Sequence, residues 1–414
     1  MIPDPARLAA IGTLAARLVA DGDFAGIAWR VTRRRGVLDE GAVGHADHAL
    51  ERPLATDAIH RLYSMTKPVV SVAALRLVEA GRLRLDDPVG RWLPGFARSR
   101  VLGPDGRLVD AARAITVEDL LTHRAGLSYD FMPDCPVAAL YREERLAEDG
   151  SRPLAALVER LGALPLARQP GSAFYYSYAT DVLAHLLERL AGRTLRELLR
   201  EELLGPLGMT ETDFGVAPEA RPRLVAMHGL RALGEVAPAV EPAQTLRAMD
   251  VEASYPSDAP ERFARGGIGL FSTLDDYMRF AHLLLDGRAP SGEALLSKPM
   301  LDLLWRDRLP PSQHPISVGT RAVPGYGWGL VGRVMSDPAR AVDLSAEGEG
   351  GWSGAASTWF WVDRANGLAG IVLAQFLGST VLLGPLMQNA AYQGFVEAPA
   401  GPDDAPATKA RPDG

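Results

Sequence analysis

The sequence predicts a mixed α/β fold in which an antiparallel sheet with flanking helices is built from both ends of the chain, with a mainly helical domain inserted between them. Two observations carry this prediction. Segments reading as strands recur near both ends, and the middle third is dominated by helical periodicity with helix-start signals. A third observation sets the connectivity: no Pro- or Ser-rich linker separates independent modules, and there is no internal repeat.

In chain order, apolar residues recur at helical spacing from Leu8 to Leu18, and Phe24 to Val31 and Gly36 to Val43 read as the strands of a hairpin. The run Arg33-Arg34-Arg35 between them is a solvated turn. A strongly apolar helix follows from Ser64, with Gly81 as its stop signal. Thr116-Val117-Glu118-Asp119 and Thr194-Leu195-Arg196-Glu197 have the form of capping boxes, and the helix from Asp181 to Leu190 carries leucines at 183, 186, 187 and 190. Past Gly266 the pattern is mixed again. Gly269 to Ser272 is extended, Thr273 to Leu285 helical, Trp359 to Val362 and Leu368 to Phe376 strand-like, and Val381 to Tyr392 a closing helix. These boundaries give a discontinuous sheet domain over 1–85 and 260–396 and a mainly helical domain over 86–259. The tail 397–414, rich in Pro, Ala, Gly and Asp, is expected to be disordered.

Composition narrows the function. A chain of 414 residues with 47% apolar residues can bury a sizeable core, and a net charge of −7 without long single-sign runs leaves no footprint for nucleic acid or an anionic membrane. The single cysteine, Cys135, excludes an internal disulfide and a four-cysteine zinc site. The first residues lack the basic start, apolar stretch and cleavage site of a secretory signal, so a cytoplasmic location is expected. The longest uncharged stretch, 365–396, is interrupted by Gln375, Pro385, Gln388 and Asn389 and reads as a strand and a helix rather than a membrane span.

Among 44 basic residues only Lys67, Lys298 and Lys409 are lysines. One of these three closes the segment Ser64-Met65-Thr66-Lys67, the Ser-x-x-Lys form of serine acyl-transfer enzymes, in which a spacing of three puts both side chains on one helix face. The following residues, Val69 to Leu75, are apolar on nearly every face, which marks a buried helix. Burial and the positive end of the helix dipole both disfavour an ammonium there, so Lys67 can be neutral and accept the Ser64 proton. A guanidinium cannot, which explains a lysine at this place in an arginine-dominated chain.

Other constellations are weaker. The nearest approach to Gly-x-Ser-x-Gly, Gly351-Trp352-Ser353-Gly354-Ala355, ends in alanine, and no strand-turn-helix context surrounds it. His45-Ala46-Asp47-His48 lacks partner histidines at zinc-site spacing, and no phosphate loop or dinucleotide fingerprint is present. No metal or organic cofactor is expected.

Ser64 and Lys67, together with three downstream segments, resemble the serine β-lactamase and penicillin-binding-protein superfamily, and most closely its family VIII carboxylesterases. The resemblance runs from about Phe24 to Gln375. It implies a β-lactamase/transpeptidase-like fold and carries a catalytic tyrosine onto Tyr176 in Tyr176-Ser177-Tyr178-Ala179-Thr180-Asp181. The place of the superfamily's Lys-Thr-Gly, on an edge strand beside the nucleophile, is occupied by Trp352-Ser353-Gly354-Ala355. Loss of the lysine removes the cation that would meet a carboxylate and points to a neutral ester. The resemblance therefore implies Ser64, Lys67 and Tyr176 as the catalytic set, the amides of Ser64 and Ala355 as an oxyanion hole, and Trp352, Ser353, Gly354 and Tyr178 as substrate-binding residues. Leu120 to Leu127, including His123, and Gly266 to Ser272 resemble the family without evident chemistry. The expected partner is a small-molecule ester, with short acyl or aryl groups. The alternatives are a β-lactamase or D-alanyl-D-alanine peptidase, an acyltransferase of the same fold, or an inactive ligand-binding scaffold.

Overall fold

Eight antiparallel strands form the central sheet: β1 (Gly26–Arg33), β2 (Gly36–Asp47), β3 (Arg52–Pro53), β4 (Tyr326–Trp328), β5 (Arg333–Met335), β6 (Gly350–Gly354), β7 (Thr358–Asp363) and β8 (Leu368–Leu373). Their order across the sheet is β4-β5-β6-β7-β8-β1-β2-β3, so the chain's last strands pair with its first through β8 and β1. The computed structural model describes residues 2–103, 105–133, 135–238 and 243–397. The tail expected to be disordered lies, from residue 398 onward, outside the described residues.

Alternation of side chains explains the layering. Ile27, Trp29 and Val31 of β1, Trp361 of β7 and Val372 of β8 face one cluster with α1 (Ala10–Ala20) and the closing helix 383–392. The intervening Ala28, Phe360, Val362, Ala369, Ile371 and Leu373 face a larger cluster. That cluster takes in α2 (Thr66–Glu79), α3 (Val117–Leu121), α4 (Pro136–Glu143), α5 (Leu154–Ala163), α6 (Ala179–Ala191), α7 (Leu195–Leu199), α8 (Leu274–Asp286) and α9 (Lys298–Leu304). The closing helix, α10, is Leu383–Tyr392. The fold is thus a β-lactamase/transpeptidase-like arrangement of mixed helices around an antiparallel sheet. The helical run stops at Leu207; the described residues of 208–238 and 243–270 form connecting straps with one 3₁₀ turn and a two-residue strand.

Local chemistry follows the sequence closely at helix starts. Thr116 and Thr194 both make reciprocal capping boxes, with Asp119 and Glu197. The β1–β2 hairpin turns on Arg34 (φ 46°) and Arg35 (φ 69°), positions that usually take Asn-Gly. Arg35 is tied by its guanidinium to Asp286 at 2.8 Å and the Arg288 carbonyl at 2.7 Å, so tertiary bonds offset the unfavourable backbone. The expected strand Leu368–Phe376 ends at Leu373. Its continuation is broken where the buried Gln375 side chain accepts the Arg61 amide (3.0 Å) and donates to the Arg61 carbonyl (3.1 Å), tying the segment to a residue outside the central sheet. Only Phe271 and Ser272 of the expected extended segment 269–272 pair, with Arg61 and His60.

Just before β6 lies a fully buried ion pair. Arg333 Nη2 is 3.1 Å from Glu349 Oε1, and the guanidinium sits 4.3 Å and 4.1 Å from the ring centroids of Tyr326 and Trp359. Glu349 also accepts hydrogen bonds from Tyr326 (2.6 Å) and Ser345 (2.9 Å), so its charge is compensated. Glu349→Ala leaves a buried guanidinium unpaired and is expected to lower stability by about 3–5 kcal/mol. The check is the denaturant midpoint, and a midpoint unchanged from the native protein would contradict the account.

Candidate active site

Ser64 lies on a 3₁₀ turn, Tyr63–Met65, that precedes α2, so the expected helix begins two residues later than Ser64. The cause is Tyr63, whose φ of 48° is left-handed. A non-glycine residue there costs roughly 1–3 kcal/mol and persists only where packing fixes it. Tyr63 is buried with its ring centroid 4.9 Å from that of Tyr255, and the neighbouring Leu62 amide donates to Leu270 at 2.9 Å. The strained turn leaves Ser64 half-buried at the surface of the core while Met65 and Thr66 are enclosed.

Lys67 follows in the first turn of α2 with 2% of its surface exposed. Its Nζ is 3.0 Å from Ser64 Oγ and donates to the Gly267 carbonyl at 2.8 Å. The rings of Tyr176 and Tyr129 face it at 4.8 Å and 5.2 Å. Burial pushes the ammonium down to about 7, against the opposing pull of the Asp181 carboxylate. Asp181, in the first turn of α6, accepts the Gly267 amide at 3.0 Å. A lysine so placed is available as a neutral amine near neutral pH.

Tyr176 enters from the loop before α6. Trp352 Nε1–H donates to its hydroxyl oxygen at 3.0 Å. Burial raises the phenol well above its usual range despite the opposing influence of Ser64 and Trp352, so it stays protonated. His123 stacks at 4.6 Å from the Tyr176 ring and its Nδ1 accepts the Ser177 amide at 3.3 Å. Burial, with Lys67 nearby, keeps this histidine neutral.

The strand carrying Trp352 is not at the edge of the sheet as expected; it is third of eight. Its partner β5 pairs only with Gly350 and Gly351, so Trp352–Gly354 still present an unpaired edge on that side. That end of β6 approaches the nucleophile's turn directly. The Thr358 hydroxyl donates to the Leu62 carbonyl at 3.2 Å, and a Cβ on Gly354 would lie 2.2 Å from the same carbonyl oxygen. Glycine is therefore required by close backbone approach.

The chain matches the Beta-lactamase family over residues 11–389. It belongs to that family. It is 36% identical to Protein Rv1367c of Mycobacterium tuberculosis, covering 86% of each chain, and 33% identical to Esterase EstB of Burkholderia gladioli, covering 87% of this chain and 90% of the relative. Among solved structures it resembles EstCE1, described as a hydrolase with promiscuous acyltransferase activity, with a TM-score of 0.77 at 26% identity over 94% of this chain and 99% of that one. These likenesses make the chain an esterase-like serine hydrolase of the β-lactamase superfamily.

In this serine hydrolase the fold brings together Ser64, Lys67, Tyr176 and Trp352, which come from three separate segments. Ala355 lies exposed in the turn after β6 and Ser353 is partly exposed opposite Trp359. Tyr178 requires a correction. It is buried, its ring packs 4.4 Å from that of Tyr129, and its hydroxyl proton is given to Asp130 at 2.7 Å, inside the core rather than towards a substrate. Trp352 likewise does more than line a surface, because its polar atom holds Tyr176. The sequence reading left out Asp181, Tyr129 and Gly267. The only signal for them was a charged residue at the start of an otherwise apolar helix and a Gly-Gly pair.

His45 and His48 lie with ring centroids 5.9 Å apart, and among the described residues no group of three or more His, Cys, Asp or Glu side chains is arranged to hold a metal. No helix among them is long and apolar enough to cross a membrane.

A Cβ on Gly267 would lie 2.4 Å from Asp181 Oδ2 and 3.2 Å from the Tyr129 hydroxyl. Gly267→Ala is expected to destabilise the protein by about 1–3 kcal/mol through overpacking. A thermal midpoint equal to the native one would show that this packing is looser than described.

Proposed function

We propose that the protein hydrolyses small carboxylic esters through an acyl-enzyme on Ser64. The observation that carries the reading is a lysine with a strongly lowered proton affinity 3.0 Å from the hydroxyl of Ser64. In the first half-reaction Ser64 Oγ attacks the ester carbonyl carbon and its proton passes to Lys67 Nζ. The tetrahedral oxyanion is received by the amides of Ser64 and Ala355, each worth roughly 3 kcal/mol in such a site. The bond to the alcohol then breaks, and the leaving oxygen takes a proton through Tyr176 and Lys67. A water attacks the acyl carbonyl and gives its proton to the same network, the bond from the acyl carbon to Ser64 Oγ breaks, and the network returns the proton to Oγ, releasing the carboxylic acid and free Ser64.

Lys67 rather than Tyr176 takes the first proton. Burial acts on both groups, but it favours the neutral form of each, which makes the amine a base and leaves the phenol a donor. Trp352 supports this assignment, since a neutral N–H on the phenolic oxygen polarises Tyr176 without adding a cation that would recognise a carboxylate. The missing cation disfavours a β-lactamase or D-alanyl-D-alanine peptidase. EstB is named an esterase, and the promiscuous acyltransferase activity of EstCE1 favours a second reading, in which an alcohol replaces water at the acyl-enzyme.

Turnover of p-nitrophenyl butyrate with an acyl adduct trapped on Ser64, read by intact-mass spectrometry, tests this proposal. Ser64→Ala is expected to lose roughly 10⁴–10⁶-fold in kcat, because it removes the nucleophile, and Lys67→Arg about 10²–10⁴-fold, because a guanidinium cannot take up the proton. Since Lys67 must be neutral to accept a proton, kcat/KM is expected to rise with pH through a limb near 7. Full activity of Lys67→Arg, or a flat profile across neutral pH, would refute the assignment.

A further inference from the structure

Asp181 is a buried carboxylate, 1% exposed, that accepts the Gly267 amide at 3.0 Å. Burial pushes its carboxyl up, and the nearby Lys67 and Arg265 oppose that rise. A buried carboxylate with one hydrogen bond from another residue is costly. Its position is specific. Gly267 joins it to Lys67: Asp181 takes the N–H of that residue, and the C=O of the same residue takes an N–H of Lys67 at 2.8 Å. The side chains of Asp181 and Lys67 therefore meet through one backbone unit rather than as a direct ion pair. Glycine is what permits this, because a Cβ at 267 would lie 2.4 Å from Asp181 Oδ2.

We propose that Asp181 is a positioning residue for the Ser64–Lys67 pair, clamping the backbone of Gly267 at its N–H so that the carbonyl of the same residue fixes one N–H of Lys67 and leaves Nζ aimed at Ser64 Oγ. The role rests on the reading of Lys67 as the proton acceptor. It gives work to the Gly266-Gly267 segment and to the first turn of α6, neither of which the hydrolytic steps use directly.

The charge on Asp181 has a second consequence. Around Lys67 the titratable and polar neighbours are Ser64, Tyr129, Tyr176 and His123, and beyond Asp181 lie Arg265 and Tyr178. Tyr129, Tyr176 and Tyr178 are held protonated by burial and His123 is held neutral, so Asp181 is the anion that favours the protonated form of Lys67. An amide in its place keeps the acceptor for Gly267 but removes that pull. Lys67 then loses its proton more readily, and the acid limb of the pH–rate profile moves to lower pH.

The experiment compares p-nitrophenyl butyrate hydrolysis by the full chain with that of Asp181→Asn, Asp181→Ala and Ser64→Ala from acid to mildly alkaline pH. For Asp181→Asn the expected result is a limb in kcat/KM displaced to lower pH, with KM within about twofold of native. For Asp181→Ala, kcat is expected to fall about tenfold or more with KM little changed, since the Gly267 peptide is released. A limb for Asp181→Asn that coincides with the native one overturns the pull of Asp181 on Lys67; native kcat in Asp181→Ala, or a plateau kcat for Asp181→Asn about tenfold below native, overturns the clamp, the second even where Asp181→Ala fails to fold. Loss of activity in Ser64→Ala beside an unmoved Asp181→Asn limb removes only the role of Asp181. Native activity in Ser64→Ala removes the hydrolytic reading as well.

Discussion

The desolvation of one ammonium group organises this protein. Lys67 sits 2% exposed at the start of a helix that is apolar all round, and nearly everything else at the site exists to hold it there or to use the consequence. A lysine in water keeps its proton until well above neutral pH, whereas the same group inside this core holds it only to about 7. The fold bears that cost. Between about pH 7 and the ordinary lysine range, the unfolded chain binds a proton at this position that the native state does not, so Lys67 makes the native state more favourable as pH rises through that window.

The sheet supplies the opposite wall. The buried pair Arg333–Glu349 anchors the residue immediately before β6, and the glycines of that strand let it run against the backbone of Leu62. The result places the indole of Trp352 on Tyr176 and leaves Ala355 in the open turn beyond. Position therefore comes from backbone proximity and one ion pair, and the polar chemistry is confined to three segments that the sequence separates widely. Aromatic rings fill the space between them: His123, Tyr129, Trp328 and Trp352 all contact Tyr176 or one another. This shell excludes water from the amine, which is the condition for its lowered proton affinity.

Much of this was legible in the sequence where a local rule decides the outcome. Thr116 and Thr194 announced their capping boxes because the partners lie three residues away, and the uninterrupted apolar run after Lys67 announced its own burial. The hairpin from Gly26 to Asp47 followed from alternation. Legibility failed where the partner is distant. Gln375 continues the strand by periodicity, yet the strand breaks where its amide bridges Arg61, 314 residues away. Tyr176 and Tyr178 share a residue type and a loop-to-helix junction, and only Asp130, 48 residues earlier, turns one of them into the core. Asp181 had no readable role because its partner is a backbone amide 86 residues on.

The scarcity of lysine makes the central claim directly measurable. With Lys67, Lys298 and Lys409 as its only lysines, the protein labelled with ¹³C at lysine Cε gives at most three side-chain signals, and the Lys67→Arg variant identifies one of them. Titration followed by NMR is expected to show the Lys67 signal changing near pH 7, far below the range of a lysine in water. A Lys67 signal that stays unchanged through neutral pH would contradict the account, since the amine beside Ser64 would then be an ammonium throughout that range.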